Sequence, residues 1–405
     1  MSLANLVLAA FVFRIGSRLS SFLVIILLAR YLDPESVGIY ATVAASIYLS
    51  SYVFELGIRG GCARAFSRPQ EGALKSSAFY AALLGSISAA IVCAYVFKAV
   101  FDIESSYTII FGSLTAAAAT FSHCAQGVFI GEADLRRANI FETAPKLLSL
   151  LFTAAACGLD LIDVETSVFA LFLSFLFSSI GAGYHAFIKG SPLSKPSARD
   201  ALSLANLGFL ICLSSAVVAL GSGANVYAAK IVLGAAAAGI FYTAYKLSDV
   251  IAEAATAASM VLFSKSTRAA DDRAAVLEGL KGGLALFGCG VIAAAILIAL
   301  SDIIISIAFG PDFLEASSVL RVIALSLPFL CFSRVMQGVF GARGRGGMTL
   351  RVQSASLAIN ILLCLLLVSV YGLAGIAWAL VISRIFSMAM YLTRSISFLY
   401  WRPAG

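Results

Sequence analysis

The 405-residue chain is 61% hydrophobic and only 12% charged, with a formal net charge of +7, against roughly 45–50% apolar and about 25% charged residues in an ordinary soluble domain. No soluble interior hides that much apolar surface. At about 20 residues per bilayer span, a dozen spans consume the chain and leave no length for a soluble catalytic domain.

Apolar runs place spans near 5–28, 37–57, 77–99, 107–130, 139–158, 165–187, 203–222, 237–262, 282–307, 317–340, 351–370 and 374–397. The first run, from Ala4 to Leu28, is interrupted by Arg14 and Arg18 and lacks a small-residue cleavage site, so it reads as a retained span and not a signal peptide. Runs this long and continuously apolar satisfy their backbone as helices, whereas a barrel would alternate over about ten residues per strand.

The connections alternate in charge. One side receives Arg59, Arg64, Arg68 and Lys75, then Arg136 and Arg137, then Lys189, Lys195 and Arg199, and later the clusters around Lys265, Arg343 and Arg394, in all 18 of the 28 basic residues. The other side holds Arg30, Lys98 and Lys230 and collects acids such as Asp33, Glu35, Asp102, Glu104, Asp163 and Asp312. Basic loops stay in the cytoplasm, so both termini are expected there. This loop bias accounts for the positive charge without nucleic-acid binding.

The eight cysteines stand singly with no CxxC spacing, mostly inside apolar runs, as small buried residues do. His123 and His185 form no metal-ligand pattern. Neither a metal centre nor a cofactor is expected.

Two internal matches agree with each other. Leu32–Tyr40, LDPESVGIY, resembles Leu233–Phe241, LGAAAAGIF, and Phe121–Phe129, FSHCAQGVF, shares six of nine residues with Phe332–Phe340, FSRVMQGVF. The offsets, 201 and 211 residues, are half the chain and separate the copies by six spans. An even number of spans makes the repeat parallel, an architecture whose substrate sites lie at the interface of the halves. The expected fold is all-α and integral to the membrane, about twelve transmembrane helices in two six-helix lobes, residues 1–195 and 196–405.

Seven basic residues fall within spans (Arg14, Arg18, Lys146, Lys246, Arg321, Arg334 and Arg384) with four acids (Glu55, Glu142, Asp249 and Glu253). Each costs about 2.5–3.5 kcal/mol on insertion scales and so should face a bundle interior or an aqueous cavity. Arg14, Ser17, Arg18 and Ser21 share one face of span 1, with the arginines about 13 and 20 Å along it. Glu142, Lys146, Ser149 and Thr153 repeat the pattern, as do Thr243, Lys246, Asp249, Glu253 and Thr256. Glu142 with Lys146, and Lys246 with Asp249, are also spaced to pair within their own helices. Glu55 and Arg59 read as an interfacial ion pair, Arg334 as a snorkelling or capping group, and His123 and Gln126 as interhelical hydrogen-bonding groups. Span 1 contains no acid, which leaves Arg14 and Arg18 for an anionic ligand, since guanidinium suits phosphate geometry.

The segment LLARYLDPESVGIYATVAASIYLSSYVFELGIRGGCAR, its half-chain echo GIFYTAYKLSDVI and the late YGLAGIAWALVIS resemble Wzx-type polysaccharide flippases of the multidrug/oligosaccharidyl-lipid/polysaccharide exporter superfamily. The resemblance implies two six-helix lobes about a central cavity, alternating between inward-open and outward-open states. It implies transport of a polyprenyl-diphosphate-linked oligosaccharide across the bacterial cytoplasmic membrane for O-antigen, capsule or exopolysaccharide synthesis, among membrane lipids and beside a polysaccharide polymerase. Arg14 and Arg18 match the family's first-span arginines, and Lys246 takes a cationic place on the eighth span. On this reading Arg14, Arg18, Lys146, Lys246 and Arg384 hold the diphosphate, with Asp249, Glu253 and Glu142 as ion-coupling carboxylates. A cation-coupled drug exporter of the same superfamily would instead need carboxylates deep in the first lobe. A membrane glycosyltransferase, ligase or polymerase would need a large extramembrane loop carrying catalytic groups.

Overall fold

A computed structural model describes residues 3–66, 72–189, 194–267 and 271–400. The described residues form helices α1 (Leu3–Tyr31), α2 (Pro34–Val53), α3 (Ile58–Ala65), α4 (Gly72–Ala99), α5 (Ser106–Gly131), α6 (Leu135–Gly158) and α7 (Val164–Gly183). They continue as α8 (Ala198–Ala228), α9 (Ala235–Thr267), α10 (Asp272–Ala308), α11 (Glu315–Ala324), α12 (Leu327–Ala342) and α13 (Gly346–Tyr400). No strand occurs among them. Among the described residues eight helices are long and apolar enough to cross a bilayer, or nine with α11 and α12 taken as one bent span. One of the eight, α13, reverses at Gly372, whose φ of 55° lies in the left-handed region that glycine adopts at no steric cost. Its two arms correspond to the last two expected spans, and α1 and α9 lie at the first and eighth.

Acids on the expected outer side have local work as caps. Asp33 accepts from the Ser36 amide at 2.7 Å and Asp163 from that of Thr166 at 2.6 Å, satisfying amides that a helix start leaves without partners. The second expected span ends sooner than its composition suggests. Helix α2 stops at Val53 and the chain resumes as α3 after a break in which Leu56 and Gly57 take φ values of 48° and 81°, costing roughly 1–3 kcal/mol at the non-glycine residue.

The chain forms two compact units, Met1–Gly223 and Ala224–Gly405. The division falls near the end of α8, later than the loop at residue 195 expected from the span pattern. In the first unit, α3 and α8 approach backbone to backbone: a methyl group on Gly61 or Gly208 would overlap the facing chain at Leu204 or Gly57. The Arg64 guanidinium donates to the Leu207 carbonyl at 2.8 Å, and the Cys212 thiol lies 3.2 Å from that of Tyr52. Such small-residue seams hold membrane helices together where lipid removes the hydrophobic drive.

The repeated FSxxxQGVF segments lie toward the ends of α5 and α12, each in the core of its own unit. Phe129 is buried with Cys124, Val128 and Phe187 and stacks on Phe141, while Phe332 and Phe340 are buried with Met336 and Tyr391, Phe340 stacking on Tyr391. The outer faces are apolar. Leu84, Ile87, Ile91 and Tyr95 on α4, and Leu362, Leu365 and Leu366 on α13, are exposed at helical spacing, as lipid-facing side chains are. Seven of the cysteines are buried, Cys289 is exposed, and all eight are free thiols.

Each unit is also tied at its basic end. Lys75, near the start of α4, pairs with Glu132, which caps α5. In the second unit Asp272, at the start of α10, pairs with Arg343, which caps α12, at 2.5 Å, and with Arg345 at 2.9 Å. The Arg345 guanidinium lies 3.8 Å from the centre of the Phe398 ring. At the 211-residue offset Glu132 aligns with Arg343, so the two clasps occupy equivalent places with their signs exchanged.

Candidate functional site

In the first unit α1 packs along α6, and the Thr143 hydroxyl reaches the Phe13 carbonyl at 3.4 Å. This contact brings the helices of Arg18 and Lys146 together. Both side chains are half-buried and each engages a partner. Arg14 lies on the same helix as Arg18, but its side chain falls outside the described residues. Glu142 is exposed on α6.

Two residues that spacing assigns to an interfacial ion pair lie in the same unit. Glu55, in the break between α2 and α3, is 1% exposed, and one of its carboxylate oxygens has no hydrogen-bond partner among the described residues. Arg59 hydrogen-bonds the Tyr52 phenol, and the charges of Glu55 and Glu142 reach it. It is held there because α3 lies against the bare Gly127 position of α5. The His123 ring meets Tyr52 edge to face at 4.7 Å, with the charges of Arg59 and Lys146 nearby and its own Nδ1 buried without a hydrogen-bond partner among the described residues. Arg59 and His123 were missed as site candidates because their convergence is tertiary: the residues come from α3 and α5, with no shared helical face to read.

The second unit gathers an analogous set. On α9, Lys246 lies over the Tyr242 ring at 5.2 Å, one turn away, and Tyr245 stacks on Phe241. Lys246, Asp249 and Glu253 are half-buried on the face that their spacing predicts, and each engages a partner. Tyr245 is reached by the charges of Asp249, Lys246, Arg384 from α13 and Arg334 from α12. Arg334 is half-buried, with its Nε buried and unpartnered among the described residues. Arg384 donates to the Ser326 hydroxyl at 2.5 Å.

Arg321 lies apart from this group. It is exposed and bonds Asp302 at 2.5 Å and Ser301 at 2.7 Å, so it belongs to the acidic end and not to the span interior.

Each unit thus presents several cations and tyrosines with a smaller number of carboxylates. Guanidinium and ammonium donors in a low-dielectric setting favour an oxyanion, and a phosphate above all.

The fold is similar to that of several solved membrane transporters. It is similar to an inward-facing multidrug resistance MATE family transporter (TM-score 0.77, 16% identity, covering 94% of this chain and 95% of that one). It is also similar to the lipid II flippase MurJ in an inward closed conformation (0.81, 14%, 96% and 87%) and to a MOP superfamily transporter from Pyrococcus furiosus (0.66, 15%, 98% and 95%). Comparison with curated proteins gives no match. Residues 3–264 match the polysaccharide biosynthesis protein family, and the chain belongs to that family.

Proposed function

We propose that the chain is a flippase that carries a polyprenyl-diphosphate-linked oligosaccharide across the bacterial cytoplasmic membrane for surface-polysaccharide synthesis, by alternating access. The observation that carries this reading is the excess of inward-set cations in both units: Arg18, Arg59 and Lys146 in one, Lys246, Arg334 and Arg384 in the other. Leaving water for hydrocarbon costs an unpaired diphosphate tens of kcal/mol, and fixed cations lower that barrier while the polyprenyl tail stays in lipid. Arg14, Arg18, Lys146, Lys246 and Arg384 are the proposed diphosphate contacts. Asp249, Glu253 and Glu142 are the proposed carboxylates for ion coupling. The likeness to a lipid II flippase favours a lipid-linked substrate.

The test replaces Arg18 by alanine and by lysine at matched expression and measures surface-glycan export. Arg18→Ala is expected to lose at least about tenfold and Arg18→Lys to keep part of the activity, since lysine retains the charge but not the bidentate geometry. Wild-type export in both variants removes Arg18 from the site.

A second reading, a cation-coupled multidrug exporter, is favoured by the likeness to the MATE transporter. Drug resistance on overexpression, with no glycan defect on deletion, would select it.

A further inference from the structure

The two copies of the repeat differ at one place that bears on Arg384. Helix α5 runs unbroken from Ser106 to Gly131, whereas its counterpart is split into α11 and α12, bent by 48°. The reason is local. At the 211-residue offset Ala117 aligns with Pro328, and proline has no amide hydrogen for the Ala324 carbonyl and crowds the preceding turn. At the bend the Leu325 amide bonds back to Val322 at 3.1 Å and the Ser326 amide to Ile323 at 2.9 Å, three residues each. That is the tighter turn of a 3₁₀ segment, such as marks a hinge within a helix.

The bend is built into its surroundings. Helix α10 meets Pro328 at Gly290, where a methyl group would lie 2.7 Å from the proline Cα; only a residue without a side chain lets α10 sit against the break. Ser326, wholly buried, donates its hydroxyl to the Ile323 carbonyl at 2.6 Å and accepts Nη1 of Arg384 at 2.5 Å. Arg384 thus ties the second arm of α13 to the break itself. Among the described residues this is the one hydrogen bond that Arg384 makes, and a guanidinium has five donors. The charge of Arg334 also reaches it, as does the opposite charge of Asp249.

We infer that the α11–α12 break is a hinge clamped in its bent form by the Arg384–Ser326 hydrogen bond, and that a diphosphate competing for Arg384 releases the clamp and straightens the span. Arg384 is then both an anion contact and the positioning residue that reports the anion to the hinge. The inference rests on the flippase reading for the identity of the anion, but not for the clamp. An oxyanion offers a charge-assisted acceptor, stronger than the neutral hydroxyl that Arg384 now holds, so the exchange runs in the required direction.

The experiment uses the full chain in lipid nanodiscs, with spin labels at Ser318→Cys on α11 and Gly341→Cys on α12, both exposed positions, and the other cysteines replaced. Undecaprenyl diphosphate is the probe and undecaprenol the control. At 1.5 Å per residue, straightening a 48° bend lengthens the label separation by about 3 Å. The diphosphate is expected to produce that shift in the wild type and undecaprenol is not.

Ser326→Ala removes the competing acceptor and keeps Arg384. It is expected to show the longer distance without any probe and to bind the diphosphate up to roughly tenfold more tightly, the worth of one hydrogen bond to a charged group. Pro328→Ala is expected to give the longer distance and lose the response.

A Ser326→Ala protein with wild-type distances and wild-type or weaker affinity overturns the clamp. If the wild type binds no diphosphate while Ser326→Ala still lengthens the distance, the hinge stands and the flippase reading falls. If the wild type binds diphosphate with no change in distance, the hinge inference falls and the flippase reading stands.

Discussion

Burying a carboxylate costs several kcal/mol unless a counter-charge is held beside it, and Glu55 is 1% exposed with Arg59 as its neighbour. Arg59→Ala is therefore expected to destabilise the protein. Adding Glu55→Gln should recover much of that loss, because the stranded charge is gone. Thermal unfolding of the purified variants in detergent reads both, and strictly additive losses would mean that the two residues do not interact. At this scale the sequence was legible where one helix carries the whole pattern. Lys246, Asp249 and Glu253 lie on one face of α9 because the helical repeat puts them there. Arg59, His123 and Arg334 escaped because their neighbours come from helices distant in the chain. The Glu55–Arg59 spacing suggested an interfacial pair, but spacing carries no information on depth once a helix breaks, as this one does at Leu56 and Gly57.

Helix pairs in each unit are closed at the basic end by ion pairs of exchanged sign. The Lys75–Glu132 clasp is a single, partly exposed pair, of a kind worth up to about 1 kcal/mol. Asp272 serves two arginines, one of them stacked on Phe398. Asp272→Ala is expected to lower the melting temperature more than Lys75→Ala. The charge-exchanged double variant Lys75→Glu with Glu132→Lys should return most of the loss of either single change, and melting curves in low and high salt test this, since salt weakens exposed pairs. The repeat segments that encode the ends of these helices could be matched by eye. The exchange of charge between Glu132 and Arg343 lies just past the matched nine residues, and its meaning required knowing that Lys75 and Asp272 stand opposite. The seam between α3 and α8 needed tertiary knowledge in the same way. Glycines at positions 57, 60, 61 and 208 are unremarkable in a membrane sequence, and only the fold puts one set against the other.

For the molecule as a whole, the charge of the connections orders the spans. Single cysteines at Glu104 and Asp312, in a background lacking Cys289, are expected to react with a membrane-impermeant thiol reagent in intact cells. A cysteine at Arg136 is expected to react only after permeabilisation. Labelling in the reverse sense would invert the orientation that the basic loops predict. The half-chain repeat leads to an expectation of two lobes, and the chain forms two compact units. Where one ends was not legible, because α8 begins after the loop that looks like the boundary yet packs against α3 through the close backbone contact at Gly208.

Composition and periodicity by themselves determined that this is a helical membrane protein with many spans and an internal repeat, because about 20 apolar residues per span and a period of 3.6 are properties of single segments. The faces bearing Arg18, Lys146, Lys246 and Asp249 followed from the same local geometry. Only the tertiary structure decided that Glu55 is buried beside the break that carries Arg59, that Arg321 in the second unit pairs with Asp302, and that Arg384 reaches back to Ser326 at a proline break. Each of those outcomes depends on which helix faces which. That is set by packing among small residues, proline and charge across long sequence separations, and no single segment contains it.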